Sequence, residues 1–465
     1  VVRPAAPRRA DDARVRQLAR ETFVLGFPLL VMDLVRRAHP LTQSGFRRFP
    51  PAAHKVIPGL FHDDPHCLHT SAFADLATAP AVLRLPNTYG RYLSVTLFDS
   101  AGEPFAALGS RTGHSVGGEI LLAGPEWRDQ PADPAPHVRA PSDSIWAISR
   151  ILARSEADRG VTEALAKRQR LIQRGVDVRS TQGAPPGDDE AAALELAPLS
   201  QIAATPPQLL LHRLTVLLER APRPFQREWG EALGRRLAQL AAETDRTGAE
   251  RTTEPMRRGF ADGWKDIQTS GREEGARAAG DWRPVPAFDE ADAAAPAAPA
   301  VRVLASLGAP LREDILSLRC FADEAGRPLN GAEQYRILLL GSALPPSLAG
   351  WRLTAHNGPD RPGEVIGDDG RLVMGCEDAL ELSLQREPPP GGPNGNWLLT
   401  PPGPFELTLR LYFPTQAALS GAWRMAPVER LGSRLDGRPR EREPPPPAPP
   451  PPSPRDCGPQ TISAC

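Results

Sequence analysis

Side chains that bind metals or move protons crowd one short stretch, His62, Asp63, Asp64, His66 and His69. Imidazole nitrogen and carboxylate oxygen are the donors that zinc and other borderline cations take. His62, Asp64, His66 and His69 are therefore the candidate metal ligands. The same groups can also act as general acid and base, which makes a hydrolase the second use of the cluster. Pro65 works against both, because it forbids a continuous helix through the stretch and removes the regular spacing that aims ligands at one point. The plainer expectation is a solvated loop.

A second group follows. Arg91 and Asp99 flank an apolar run, and Arg111 sits in Gly109-Ser-Arg-Thr-Gly113, where glycines let backbone amides approach an anion. Such a loop suits a carboxylate or a sugar. Alternatively, Arg91 and Asp99 tie the strand to a neighbour through charge-assisted bonds. Among the tryptophans, Trp127, Trp146, Trp351 and Trp423 read as packing residues, whereas Trp397, in a turn-rich segment before Pro401-Pro402, reads as half exposed and ligand-facing. The candidate ligand-binding set is thus His66, His69, Arg91, Asp99, Arg111 and Trp397. The sequence contains no Walker-type phosphate loop, dinucleotide fingerprint or His-Glu-x-x-His helix. No catalytic residue is assigned and no cofactor is implied.

These residues need elements to hold them. Residues 11–37 carry apolar groups at helical spacing with Pro28 in the run, which predicts two short helices. From Ala81 to Ile148, brief apolar runs punctuated by Gly, Pro, Asn and Asp predict a sandwich of short strands. Ser155 to Ile172 reads as helix. Leu209, Leu210, Leu214, Leu217 and Leu218, then Trp229, Leu233, Leu237 and Leu240, mark a helical middle. Asp281–Val301 is rich in Ala, Pro and Asp and reads as linker. A second run of alternating strands ends in Phe405-Glu-Leu-Thr-Leu-Arg-Leu-Tyr-Phe413, and a polyproline tail follows.

The expected organisation is a helical entry over 1–38, a first β-sandwich over 39–175, a helical segment and linker over 176–300, a second β-sandwich over 301–433 and a disordered tail over 434–465. Both β-rich blocks share one texture, although no short-period repeat is visible. With 465 residues, more than one domain is required. The 55 basic and 56 acidic residues nearly cancel, which argues against nucleic acid and anionic membranes as partners. The apolar stretch Phe23–Met32 is too short to cross a bilayer. The five cysteines are scattered and include no Cys-x-x-Cys, so neither a zinc knuckle nor a disulfide framework is expected.

Gly26-Phe-Pro-Leu-Leu-Val-Met-Asp33, Asn87-Thr-Tyr-Gly-Arg-Tyr92, Leu97-Phe-Asp99, Gly109–Gly113, Leu122-Ala-Gly-Pro-Glu-Trp127 and Ala140–Trp146 resemble, in order, the first domain of bacterial proteins that pair domains of unknown function 1254 and 1214. Leu344-Pro-Pro346, Trp351-Arg-Leu-Thr354, Asn396–Phe405, Leu409-Arg-Leu-Tyr412 and Leu419–Trp423 resemble the second. The resemblance implies an α+β, mainly β chain in which two jelly-roll-like antiparallel sandwiches are joined by a helical segment. It also implies export from the bacterial cytoplasm. One departure falls at Asp64-Pro-His-Cys-Leu-His69, where that family commonly shows Asn-x-Asp-Thr-Leu-Tyr. The functional expectation is a ligand-binding or envelope-associated protein acting on a small or polymeric ligand. A hydrolase or metal enzyme centred on residues 62–69, and a homo-oligomer assembling through sandwich faces, are the alternatives.

Overall fold

Alternation in the strand Glu406–Tyr412 places Leu407, Leu409 and Leu411 on one face, all fully buried, and Thr408, Arg410 and Tyr412 on the other. That division runs through the whole fold. The computed structural model describes residues 6–38, 46–48, 64, 66–128, 137–153, 156–173, 202, 205–275, 282–284, 298–357, 364–367, 372–375, 378–390 and 395–431, all within one compact unit, Val1–Leu431. His62 and the expected tail lie outside the described residues.

The first module contains β1 (Arg47–Arg48), β2 (Cys67–Asp75), β3 (Ala81–Leu85), β4 (Leu93–Phe98), β5 (Pro104–Gly109), β6 (Gly118–Ala123), β7 (His137–Arg139), β8 (Ser144–Leu152) and β9 (Arg170–Gln173). They form a five-stranded sheet, β1-β2-β8-β4-β5, facing a four-stranded sheet, β7-β6-β3-β9. The second module contains β10 (Arg283–Pro284), β11 (Ile315–Cys320), β12 (Gln334–Leu339), β13 (Trp351–His356), β14 (Glu364–Gly367), β15 (Leu380–Gln385), β16 (Trp397–Leu399), β17 (Glu406–Tyr412) and β18 (Glu429–Leu431). Its sheets run β10-β11-β17-β13-β14 and β16-β15-β12-β18. Each strand of the first module thus has a counterpart nine places later in the second, and even the parallel pair β6–β7 recurs as β15–β16. One topology is used twice.

Each sandwich closes over its own core. Leu83, Leu93, Val95, Leu97, Ile120, Ile145 and Ile151 fill the first, and Tyr335, Ile337, Leu353, Leu382, Leu407 and Leu409 fill the second. Each such side chain contributes about 1.5–3 kcal/mol by leaving water. The fold is α+β and mainly β, and the repeated order accounts for the shared texture of the two sequence blocks.

The helices cover only part of this. Residues Ala6–Ala38 form a single helix, α1, that runs through Pro28, where two helices were expected. Proline in a helix interior costs roughly 3 kcal/mol. Here the burial of Phe23, Phe27, Leu29 and Val31 against the other helices and the first module outweighs that cost. The segment expected as one helix from Ser155 to Ile172 is also divided. Helix α2 spans Arg159–Ala166, and Arg170–Gln173 is β9, whose pairing with β3 overrides local propensity. The helical middle appears as α3 (Pro207–Glu219), α4 (Glu231–Thr247) and α5 (Ala249–Gly275), followed by α6 (Ala298–Ser306). Arg283 and Pro284, inside the expected linker, pair with β11 instead.

Helices α1 and α5 cross closely because Gly259 lies against the Arg16 carbonyl, where a Cβ would come within 2.2 Å. Arg16 pairs with Asp262 at 2.5 Å, and Arg20 pairs with Asp266 one turn on. No described helix is long and apolar enough to cross a membrane.

Candidate functional site

The polar faces of β2, β8 and β4 meet those of β11, β17 and β13 between the modules. Here the structure gathers Asp64, His66, His69 and Arg111, four of the residues singled out above. Asp64 is buried, not in a solvated loop, and His69 lies on β2 opposite Arg150 of β8. The Asp64 Oδ2 accepts the Tyr412 hydroxyl at 2.6 Å, and its Oδ1 accepts the His66 amide at 3.1 Å. Burial alone would raise this carboxyl. Arg410, His66 and the Tyr412 hydroxyl outweigh that and hold it at about 2.

Arg111 reaches across to Asp314, donating from Nε at 2.6 Å, while the Ser94 hydroxyl donates to the other carboxylate oxygen at 2.9 Å. The Gly109–Gly113 loop therefore holds a partner module. Arg150, Arg352 and Arg410 complete the cluster, each less than 5 % exposed. The doubled topology recurs here at atomic level, since Arg150 donates to Thr96 Oγ1 at 3.2 Å and Arg410 donates to its counterpart, Thr354, at 3.5 Å. Arg150 and Arg410 occupy the same row of the same central strand in each module. Arg150 also bonds the Gly308 carbonyl beyond α6.

Guanidinium groups are buried only where hydrogen bonds and charges compensate. Tyr92 packs edge-on against Tyr412 at 5.4 Å, which adds an apolar seal beside them. Together these bonds fix the two sandwiches to one another. Among the described residues, no three His, Cys, Asp or Glu side chains come together to hold a metal ion. His69 lies within strand β2, whereas Asp64 and His66 precede it.

The interface makes acid stability depend on His69, whose pKa falls to about 3 through burial and then the nearby Arg150. Below its unfolded value of about 6.5, the unfolded chain binds a proton that the folded chain refuses, so stability falls with pH. Asp99 and Glu103, raised to about 7 by burial, act in the opposite direction between about pH 4 and 7. The contribution of His69 is therefore isolated by substitution. The stability difference between wild type and His69→Gln should change by about 1.4 kcal/mol per pH unit from pH 6 to 4. A pH-independent difference would contradict a neutral His69.

The remaining candidates separate from this cluster. Arg91 pairs with Asp158 at 2.5 Å, tying the start of β4 to the turn before α2. Trp397 spends its indole N–H on the Gln385 carbonyl at 2.9 Å along the edge of its sheet. Asp99 accepts the amides of Ala101 and Glu103 at 2.8 and 3.0 Å, closing the β4–β5 turn.

Asp99 also lines a cleft of about 790 Å³ beneath α1 and α3. Leu29, Met32, Phe73, Ile145, Val216 and Leu217 form its apolar wall, and Asp33, Asp75, Asp143, Arg36, Arg213 and Arg220 stand about its polar side. Arg213 holds Asp33 through two bonds, one of 2.8 Å from Nε, and Arg36 reaches Asp75 at 3.4 Å. The cleft exists because helices cover this half of the first five-stranded sheet, where Phe73, Phe98 and Trp146 are apolar. At the positions of the second module that correspond to Phe98 and Trp146 stand His356 and Glu406, which bond at 3.2 Å, and His356 also meets Thr408 at 2.9 Å. Sequence reading identified Asp99 but not the cleft, whose walls come from segments far apart in the chain.

Residues 61–173 match the family model described as "Protein of unknown function (DUF1254)", and residues 314–416 match "Protein of unknown function (DUF1214)". The chain pairs these two domains, as the sequence motifs indicated. Each match falls within one turn of the nine-strand repeat. No curated protein matches the chain. Among solved structures, the VPA0106 protein from Vibrio parahaemolyticus is similar at a TM-score of 0.60 and 16% identity, covering 90% of this chain and 100% of that one. An uncharacterised protein from Burkholderia cenocepacia aligns at a TM-score of 0.44 and 12% identity, covering 93% and 98%. The first of these likenesses shows a shared fold.

Proposed function

We propose that this pairing of two sandwich domains is a small-molecule binding protein whose site is the cleft beneath α1 and α3. One observation carries the reading: a concavity of about 790 Å³ with an apolar wall and a buried carboxyl at its side. Ligand sites are typically of that size and composition, about 300–1,000 Å³ and mostly apolar with a few placed polar groups. A larger groove of about 1140 Å³ lies between α1 and α5. It is lined mostly by charged side chains, including the Arg16–Asp262 and Arg20–Asp266 pairs.

In this account the inter-module cluster keeps the scaffold rigid, and the helices added to one module create the site. Ligand-observed NMR of the whole chain against a small-molecule library tests the reading. Val216→Trp, placed on the cleft wall, should abolish binding of the hits while leaving the thermal midpoint near that of wild type. Hits that bind the variant equally well would place binding elsewhere, and a library without hits would also count against the proposal.

A further inference from the structure

The cleft divides chemically into two parts. Its wall is aliphatic and aromatic, through Leu29, Met32, Phe73, Ile145, Val216 and Leu217. Its polar side carries four carboxyl groups, of which Asp33 is already held by Arg213 and Arg37 and Asp75 by Arg36. Among the described residues, no such guanidinium is bound to Asp99 or Asp143. Asp99 is 3% exposed and satisfied by backbone amides. Asp143 is raised by burial and by the like charges of Asp75 and Glu126. Arg220, at the rim, partly offsets those like charges on Asp143. On the far side of Asp99, Glu103 faces Arg302 of α6 at 3.0 Å and feels Glu228.

We infer that the cleft takes a protonated amine carried on an apolar body, with the ammonium beside Asp99 and Asp143 and the body along Phe73, Met32 and Leu217. This rests on the small-molecule reading above and adds the ligand class to it. Burial holds the Asp99 carboxyl at about 7, so a cation arriving there recovers a charge that the protein alone disfavours. An anion would instead meet two further carboxylates. A neutral molecule of the same shape would gain only the apolar wall.

Titration calorimetry with octylamine, octanol and octanoate on the whole chain tests the class. Octylamine should bind about tenfold or more tightly than octanol, the factor expected of a hydrogen bond to a charged group, and octanoate should bind most weakly. Asp99→Asn keeps an oxygen for the Ala101 and Glu103 amides, and should bring octylamine down to the octanol level without changing octanol itself. Asp143→Asn, on the more open side, should reduce the same preference without touching the β4–β5 turn. If octanol binds as tightly as octylamine, or if both variants retain the preference for amine, the amine assignment is overturned while the cleft remains a small-molecule site. If none of the three binds, both readings fall.

Discussion

Replacing Asp64 by alanine is expected to destabilise the chain by about 3–5 kcal/mol, the range for removing one member of a buried charge pair. The larger part comes from what remains. Tyr412 is fully buried and donates to this carboxylate, and the Arg410 charge lies close by, so alanine leaves the hydroxyl without this acceptor and the guanidinium without this counter-charge. Because the folded carboxyl sits at about 2, its contribution is present above the unfolded value of about 3.9 and is lost as pH falls toward 2. Urea denaturation at neutral pH measures the loss. Asp64→Asn, which keeps an oxygen for Tyr412 but no charge, should fall between the two. A double-mutant cycle with Tyr412→Phe should show coupling of roughly 0.5–3 kcal/mol, as for residues in direct contact. Losses below about 1 kcal/mol, as at exposed pairs, would mean that the modules are held elsewhere.

Trp146→Ala should cost a similar amount, about 3–5 kcal/mol, by removing a large side chain from a packed interior. Trp146 has no exposed surface and lies 5.7 Å from Phe73 in a stacked arrangement and 5.5 Å from Phe98. Its position joins two levels of the structure. On one side it fixes the five-stranded sheet to the helices, and on the other it backs Phe73, which forms part of the cleft wall. The variant should therefore lose affinity for apolar ligands as well as stability. Calorimetry of octanol binding, made well below the variant's midpoint, separates the two effects. Full octanol affinity would contradict the link between packing and site.

The strands were legible because their alternation is strong. Phe405-Glu-Leu-Thr-Leu-Arg-Leu-Tyr-Phe413 already separates Leu407, Leu409 and Leu411 from Thr408, Arg410 and Tyr412. Arg410 and Tyr412 could have been flagged there, since a polar face on a central strand must find partners. The actual partners were not legible. Asp64 meets Tyr412, and Arg111 meets Asp314, through the packing of two modules, and no local pattern encodes that distance. The doubled topology was hidden for a related reason. It resides in the order of hydrogen-bonded strands, while corresponding residues such as Trp146 and Glu406 have opposite character. Pro28 was read as a break because local propensity is a weak prior, which burial of α1 overrides. Asp99 was correctly noticed, but the cleft beside it needs α1 and α3, which approach from opposite sides in sequence.

A crystal structure of the chain grown with octylamine would show whether the cleft takes an amine. Ligand density is expected along Phe73, Met32 and Leu217, with the nitrogen within hydrogen-bonding reach of Asp99 or Asp143. Density at another site, with this cleft holding only solvent, would contradict it.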